Sequence, residues 1–244
     1  MSESFTTKSS QISTLILSNS AKIKVFAVNL ADISIPSETE LRHFLTADEL
    51  LRGKLFGNKI ESQKFFLRRI WLRQLLSNEL KLSPTSIKIA YSKNHKPFLQ
   101  HSHQTNFTDT NNSTKTDAKL DFNVASRDNF AVCAISYQGA VGIDIDYKEL
   151  VICNAELPTH LLHPQEQNAL LQLNPKERAI LFARIWTAKE ALFKRTGEGI
   201  TEHMASANCL SAALHPTSQT SSYCYFEIAS RFTVCVSKNS PELS

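Results

Sequence analysis

The segment from Pro175 to Thr196 constrains the fold more than any other stretch of the chain. Asn174 can cap the first turn, proline suits the first helical position, and Gly197 follows as a stop signal. Apolar residues between these limits recur at helical spacing, so we predict one long helix. Because such a helix is too apolar to stand alone in water, it must pack on another layer of secondary structure.

This helix carries three stripes that differ in character. The two apolar stripes, which we expect to be buried, are made of Leu181, Ile185, Ala188 and Leu192, and of Phe182, Trp186 and Phe193 with Lys189 between them. The third stripe consists of Ala183, Thr187, Glu190 and Lys194. A Glu-Lys pair on a solvated face is worth only about 0.2–0.5 kcal/mol, and the helix is too apolar to be mostly exposed. The charged pair therefore indicates a surface that faces a ligand.

Alternating apolar and polar residues predict strands in both halves of the chain. They cover residues 23–30, 120–124, 130–136, 141–146, 223–228 and 232–236. We expect the third and fourth of these to form a hairpin through Gln138-Gly139. A second long helix is predicted over about 61–80. Helices and antiparallel strands mixed in each half indicate an α+β fold.

Composition limits the kind of protein this can be. The 244 residues, 42% hydrophobic and 20% charged, suit one globular domain or two fused small α/β units. The formal net charge of +4 is a smaller excess of basic residues than nucleic-acid-binding proteins usually carry. We therefore predict no nucleic-acid partner. No segment is long and apolar enough for a membrane span or a secretory signal, and the five cysteines form no C-x-x-C pair. We therefore expect a cytoplasmic protein with reduced thiols and no membrane contact.

Two segments stand apart in composition. Residues 1–20 are rich in Ser and Thr without a sustained period, which predicts a disordered tail, with order beginning near Lys22. Residues 101–118 are rich in His, Thr, Asn, Ser and Asp, which predicts an exposed loop inserted into the first half of the fold.

The predicted strand at 141–146 carries two acidic residues. Strand alternation sends Asp144 and Asp146 to the same face. Carboxylates about 7 Å apart on one strand face repel each other unless they are solvated or bridged, and a hard cation such as Mg²⁺ can bridge them. Considered alone, the strand favours a solvated face. The helix stripe with Glu190 shifts the balance towards a bound cation.

Basic residues cluster on the predicted first-half helix and just before it. Lys64 and Arg68 are one helical turn apart, as are Arg69 and Arg73, and Arg52 lies upstream. These side chains could neutralise a phosphate-rich ligand. Alternatively, they could form a solvated face whose aliphatic stems cover apolar residues.

Two of these segments resemble the signatures of a known family. Residues 141–146 read V-G-I-D-I-D, similar to G-I-D-[IV]-[ED], and residues 182–194 read F-A-R-I-W-T-A-K-E-A-L-F-K, similar to F-x-x-x-W-x-x-K-E-A-x-x-K. Both motifs are typical of 4'-phosphopantetheinyl transferases, and here they occur in the family's order. With shorter matches, the resemblance covers about residues 40–200 apart from the inserted loop. It is closest to the large, surfactin-type class.

The resemblance implies a monomer of two pseudo-symmetric α/β halves, each a helix packed on a small, mostly antiparallel sheet. The halves would comprise residues 21–138 and 139–244, with coenzyme A in the cleft between them. The implied reaction transfers 4'-phosphopantetheine from coenzyme A to a serine of an apo acyl or peptidyl carrier protein. It would use Mg²⁺ and release 3',5'-adenosine bisphosphate, as in holo-[acyl-carrier-protein] synthases. The sequence does not select among fatty acid, polyketide and nonribosomal peptide biosynthesis.

The resemblance also implies a role for each site residue. Asp144, Asp146 and Glu190 would hold Mg²⁺ against the diphosphate, and Glu190 would take the proton from the carrier serine. Lys194 would stabilise the diphosphate and the leaving group. The cofactor contacts would come from Arg52, Lys64 and Lys189 at phosphates, and from Lys96 and Pro97 beside the adenine.

One departure from the family pattern lies at the end of a predicted strand. The pattern F-N-x-S-H-S is replaced by F-N-V-A-S-R, so that Ala125 and Ser126 stand where a phosphate-binding serine and histidine are usual. Ser126 stays a candidate cofactor contact, and Arg127 or His95 are candidates to replace the lost one. The alternative function is a catalytically degenerate module that binds coenzyme A or a carrier protein. The retained acidic and basic residues argue against it.

Overall fold

The computed structural model describes residues 13–20, 22–100, 120–150, 157–199, 202–217 and 222–239. Its helices and antiparallel sheets confirm the α+β fold expected from the sequence. The predicted insertion at 101–118 lies outside the described residues. In the part of the chain that is described, no helix is both long and apolar enough to cross a membrane.

The described residues form strands and α-helices that we number in chain order. The strands are β1 (Leu15–Asn19), β2 (Ile23–Asn29), β3 (Ile89–Tyr91), β4 (Pro97–Leu99), β5 (Asp121–Arg127), β6 (Phe130–Ser136), β7 (Val141–Tyr147), β8 (Tyr223–Ile228) and β9 (Phe232–Lys238). The α-helices are α1 (Glu38–Phe44), α2 (Ala47–Lys54), α3 (Lys59–Leu80), α4 (Pro164–Leu171), α5 (Pro175–Thr196) and α6 (Leu210–Leu214). The predicted long helices thus correspond to α3 and α5.

The first sheet is antiparallel, with the strand order β1-β2-β6-β5. The prediction of a disordered tail over residues 1–20 is wrong for β1, which pairs with β2. The sequence of β1 lacks a clear period because it lies at the edge of the sheet, where Leu15 and Ile16 remain exposed. Backbone hydrogen bonding to β2 therefore orders this segment more than burial does.

Helix α3 covers one face of the first sheet. The Asn58 side chain accepts hydrogen bonds from two backbone N–H groups of the first turn. Lys81, with a left-handed φ of 56°, ends the helix. The apolar side of α3, including Trp71, packs against Phe26 of β2 and Phe122 of β5. Strands β3 and β4 form a separate two-stranded ribbon.

The second sheet has the order β7-β9-β8. The predicted hairpin between β6 and β7 is wrong, because β6 lies between β2 and β5 whereas β7 pairs with β9. Since both edges of β6 are already paired, with β2 and β5, no edge of β6 is left for β7. Strands β8 and β9 form an antiparallel pair, as their alternation predicted.

Helix α5 packs on β7 and β9 of the second sheet. The Asn174 side chain accepts a hydrogen bond from the first turn at 3.0 Å, and Gly197 ends the helix with a φ of 78°, as predicted. Gly142 permits the close approach of helix and strand, since a Cβ there would lie only 1.9 Å from the carbonyl oxygen of Ala191. The helix is therefore held directly against the strand that carries the two aspartates.

The two sheets lie face to face between the long helices. Val25 and Val132 of the first sheet pack against Ile143 and Val234 of the second. Another apolar cluster joins the opposite face of the second sheet to α5. The layers therefore follow the order α3, first sheet, second sheet, α5. The pseudo-symmetry of two halves and their boundary between residues 138 and 139 stay predictions.

Candidate functional site

The structure brings together the two aspartates of β7 and the charged pair of α5. Lys194 Nζ lies 2.6 Å from Asp144 Oδ1 and 3.8 Å from Glu190 Oε2. Asp144, Asp146 and Glu190 are only 7–8% exposed. Lys194 keeps 32% of its side chain exposed, so the site opens to solvent there. We call Asp144, Asp146 and Glu190, together with Lys194, the carboxylate cluster.

The carboxylate cluster is electrostatically strained. Burial raises the pKa of Asp144, and the neighbouring Lys194 opposes that shift. Burial also raises the pKa of Glu190; Lys194 lowers it, while the charges of Asp144 and Asp146 raise it further. Carboxylates that repel one another in a partly dehydrated site favour a bound proton or cation. The cluster is therefore suited to hold positive charge.

Arg127 contributes a second cation to this region. Its Nε lies 3.2 Å from Asp146 Oδ1, and its guanidinium lies 4.7 Å from the ring centre of Tyr147. The sequence suggested Arg127 only as a substitute phosphate contact. The structure instead places it on one of the two aspartates.

The donor chemistry of the carboxylate cluster fits Mg²⁺, which prefers carboxylate oxygens. As the side chains stand, however, no three His, Cys, Asp or Glu residues within the described ranges are arranged to hold a metal ion. Lys194 contacts an oxygen of Asp144, and Arg127 contacts one of Asp146. A bound metal would have to displace these cations. The assignment of Asp144, Asp146 and Glu190 as metal ligands stays a prediction.

The predicted phosphate contact of Lys189 is wrong. Lys189 is fully buried, with its Nζ 3.0 Å from Glu166 Oε2, and it donates hydrogen bonds to the carbonyls of Met204, at 2.7 Å, and Ala207. Glu166 is also fully buried and accepts a hydrogen bond from the N–H of Cys209 at 2.7 Å. Lys189 lies on the side of α5 that faces α4, so its charge cannot reach a ligand arriving from solvent.

The ammonium of Lys96 is also engaged within the protein. It donates to Asp121 Oδ2 at 3.1 Å and to the carbonyls of Val141 and Arg195 at 3.3 and 3.1 Å. These acceptors match the three N–H donors of a lysine. The charge of Lys96 is therefore used to join separate elements of the fold. A contact of Lys96 and Pro97 with an adenine ring stays a prediction.

The other predicted cofactor residues lie on or beside α3. Arg52 is exposed, and its guanidinium lies 5.5 Å from the ring centre of Tyr91. Lys64 Nζ lies 3.4 Å from a glutamate of the same helix. Ser126, at the end of β5, accepts a hydrogen bond from Arg68 Nη1 at 3.3 Å. The structure thus joins Ser126 to the basic helix through Arg68, to which the sequence assigned no specific role.

Sequence reasoning missed two polar residues that position β7. Asp121 Oδ2 accepts the N–H of Val141 at 2.9 Å, and Asn123 Oδ1 accepts the N–H of Ile143 at 3.0 Å. Both satisfy backbone donors on the edge of β7 that β9 leaves free, and so they fix the strand that carries Asp144. The available signal was a pair of polar residues two positions apart in the predicted strand 120–124, whose other residues are apolar.

Comparison with known proteins connects this arrangement to a family. The family model described as the 4'-phosphopantetheinyl transferase superfamily matches residues 140–240, which include the whole carboxylate cluster. The 4'-phosphopantetheinyl transferase HetI of Nostoc sp. is 30% identical over 178 residues, which cover 73% of this chain and 68% of that protein. The chain belongs to the 4'-phosphopantetheinyl transferase superfamily. It is also 22% identical to the 4'-phosphopantetheinyl transferase Sfp of Bacillus subtilis over 178 residues, 73% of this chain and 70% of that protein.

The resemblance inferred from the two motifs is thereby confirmed. The chain carries both motifs inside the segment that the family model matches. The structure explains why the motifs occur together, since Asp144 and Asp146 of the first face Glu190 and Lys194 of the second.

Proposed function

We propose that this protein moves the 4'-phosphopantetheine arm of coenzyme A onto a serine of an apo acyl or peptidyl carrier protein. The observation that carries the proposal is the carboxylate cluster, in which three partly dehydrated acidic residues meet a lysine at a solvent-facing edge. Phosphoryl transfer depends on positioning and on neutralising charge rather than on covalent help from the protein. The cluster is suited to both tasks.

Glu190 is the candidate general base. Burial and the two aspartates raise its pKa, and a base whose pKa lies closer to the working pH takes a proton more effectively. It would accept the proton of the carrier serine hydroxyl, directly or through a water molecule. Lys194 is partly exposed beside it and would stabilise the diphosphate and the departing 3',5'-adenosine bisphosphate.

Mg²⁺ is the cation that the donor set suits best. Asp144, Asp146 and Glu190 would hold it, and when bound it would neutralise charge on the diphosphate of coenzyme A. In the arrangement described above, Lys194 and Arg127 balance the two aspartates. A monomeric state, a coenzyme A cleft between two halves, a cytoplasmic location and the holo-[acyl-carrier-protein] synthase subtype are further predictions of the same proposal.

The test is incubation of the protein with coenzyme A, Mg²⁺ and a panel of apo carrier proteins. Intact mass spectrometry should show one phosphopantetheine arm added to at least one carrier. A protein that binds coenzyme A but modifies no carrier in a broad panel would be the degenerate binding module instead.

A pair of variants tests the site itself. Asp144→Ala should abolish transfer and leave the protein folded, because it removes an acidic residue from a site that opens to solvent. Asp48→Ala removes a carboxylate from the exposed first turn of α2 and should leave transfer unchanged. Normal turnover by Asp144→Ala would contradict the role of the cluster.

A further inference from the structure

Arg127 ends a row of polar side chains on β5 that face the free edge of β7. Asp121, Asn123 and Arg127 share one face of the strand, because alternate residues of a strand point the same way. The first two accept backbone N–H groups of β7 at 2.9 and 3.0 Å, and Arg127 reaches Asp146 of the same strand. The position of β5 beside β7 therefore brings the guanidinium to the carboxylate cluster. The proposed transfer step gives it no task there.

An aromatic ring also supports the guanidinium of Arg127. The guanidinium lies 4.7 Å from the ring centre of Tyr147, which is within the range of a cation–π contact. The ring is itself held in place, because it stacks on Phe232 at 5.4 Å and its hydroxyl lies 2.9 Å from both carboxylate oxygens of Asp128. Contact with the ring and with Asp146 fixes the end of a side chain that is otherwise 43% exposed.

The carboxylate of Asp146 therefore already has two partners. Its Oδ1 accepts the backbone N–H of Tyr147 at 2.8 Å and lies 3.2 Å from Nε of Arg127. Lys194, in contrast, contacts Asp144 and Glu190. The three carboxylates of the cluster thus share two cations, which reduces the repulsion among them.

A divalent cation that approaches Asp146 meets the positive charge of Arg127. It must either displace the guanidinium from the carboxylate or bind beside it, and like charges a few ångströms apart repel each other. Both routes weaken the binding of the metal. The guanidinium cannot lose its charge to avoid this conflict, because arginine stays protonated in proteins.

We propose that Arg127 competes with the divalent cation for Asp146, and that Tyr147 is the positioning residue that holds the guanidinium there. This inference rests on the part of the proposed function that assigns Mg²⁺ to the carboxylate cluster. Arg127 stabilises the cluster when no metal is bound. It therefore raises the concentration of free Mg²⁺ that the protein needs to fill the site.

The test measures metal binding by the protein alone, without coenzyme A or a carrier protein. Mn²⁺ is a suitable probe because it accepts the same carboxylate ligands as Mg²⁺, and electron paramagnetic resonance measures its unbound fraction. Arg127→Ser should bind Mn²⁺ about 5- to 30-fold more tightly than the wild type, as expected when a partly exposed, charge-assisted contact no longer competes. Mg²⁺ should displace the bound Mn²⁺. Arg127→Lys keeps the charge and should stay within about threefold of the wild type.

Three more variants separate the local contact from a general effect of charge. Lys148→Gln is the matched control, because Lys148 is two positions from Asp146 but pairs with Glu227 at 2.8 Å; it should bind Mn²⁺ like the wild type. Tyr147→Leu removes the ring and keeps Arg127, so it should tighten Mn²⁺ binding by a smaller factor than Arg127→Ser. Tyr147→Phe keeps the ring and should remain closer to the wild type than Tyr147→Leu.

Thermal melting provides an independent measurement. Tighter binding to the native state raises the melting temperature further, so a fixed concentration of Mn²⁺ should stabilise Arg127→Ser more than the wild type. Equal Mn²⁺ affinities of Arg127→Ser and the wild type would overturn the proposal, as would a lack of binding by both. An equal gain in Lys148→Gln would overturn it as well. The expected gain in Arg127→Ser, combined with a wild type that modifies no carrier, would instead count against the proposed transfer alone.

Discussion

Replacement of Lys189 by methionine should destabilise the protein without weakening coenzyme A binding. The ammonium lies 3.0 Å from Glu166 Oε2, and neither side chain has measurable exposure to solvent. Methionine has a similar length but would leave the Glu166 carboxylate buried without its counter-ion. It would also remove the donor to the carbonyls of Met204 and Ala207. Breaking a buried ion pair in this way costs about 3–5 kcal/mol.

For a chain of this size, the loss corresponds to a fall in melting temperature of roughly 6–20 °C. Differential scanning calorimetry measures it, and calorimetric titration below the melting transition measures coenzyme A affinity. The double variant Glu166→Gln, Lys189→Met leaves no unpaired charge. Its loss of stability should therefore be smaller than the sum of the losses caused by the two single substitutions.

The matched control is Lys194→Met, on the same helix. Lys194 is 32% exposed and contacts Asp144, so its loss should reduce transfer while lowering the melting temperature far less. The reasoning is refuted if Lys189→Met melts like the wild type yet loses affinity for coenzyme A, since the ammonium would then have to reach the ligand.

Three further predictions concern packing, thiol chemistry and the segment that the sequence predicts to be an insertion. Gly142→Ala should destabilise the protein by at least the ~1–3 kcal/mol typical of overpacking, because the new methyl would lie 1.9 Å from the Ala191 carbonyl oxygen. It should also reduce transfer. The control is Gly57→Ala, which should melt like the wild type because no atom lies within 4 Å of the added methyl. Burial raises the pKa of Cys209 to about 11, so the thiol stays protonated at pH 8 and becomes reactive only as the pH approaches that value. Peptide mapping after maleimide treatment of the native protein should leave Cys209 unmodified at pH 8, and rapid labelling would contradict its burial. Deletion of residues 102–118 should change the melting temperature little, because loop closure depends weakly on length; a large loss would reveal an ordered element.

The sequence alone determined the elements that local interactions specify. Helix α5 begins directly after Asn174 and ends directly before Gly197, as predicted. Both signals are local, because N-capping and a glycine in the left-handed conformation act within one turn of the helix. Asp144 and Asp146 share a face because side chains alternate along any strand. The family could be inferred on the same basis, since both motifs are contiguous in sequence. These features need no knowledge of what packs against them.

Only the tertiary structure decided the direction and partners of the charged side chains. Lys189 and Lys194 belong to the same motif, yet they point to different environments. Lys189 pairs with Glu166 of α4 in the core, whereas Lys194 pairs with Asp144 of β7 in the carboxylate cluster. The contact between Arg68 and Ser126 likewise joins residues 58 positions apart. Such contacts depend on which elements become neighbours in the fold. A buried charged side chain then takes the position in which it is paired, because an unpaired buried charge costs several kcal/mol. A sequence pattern specifies the face of one helix or strand, but not the element that will cover that face.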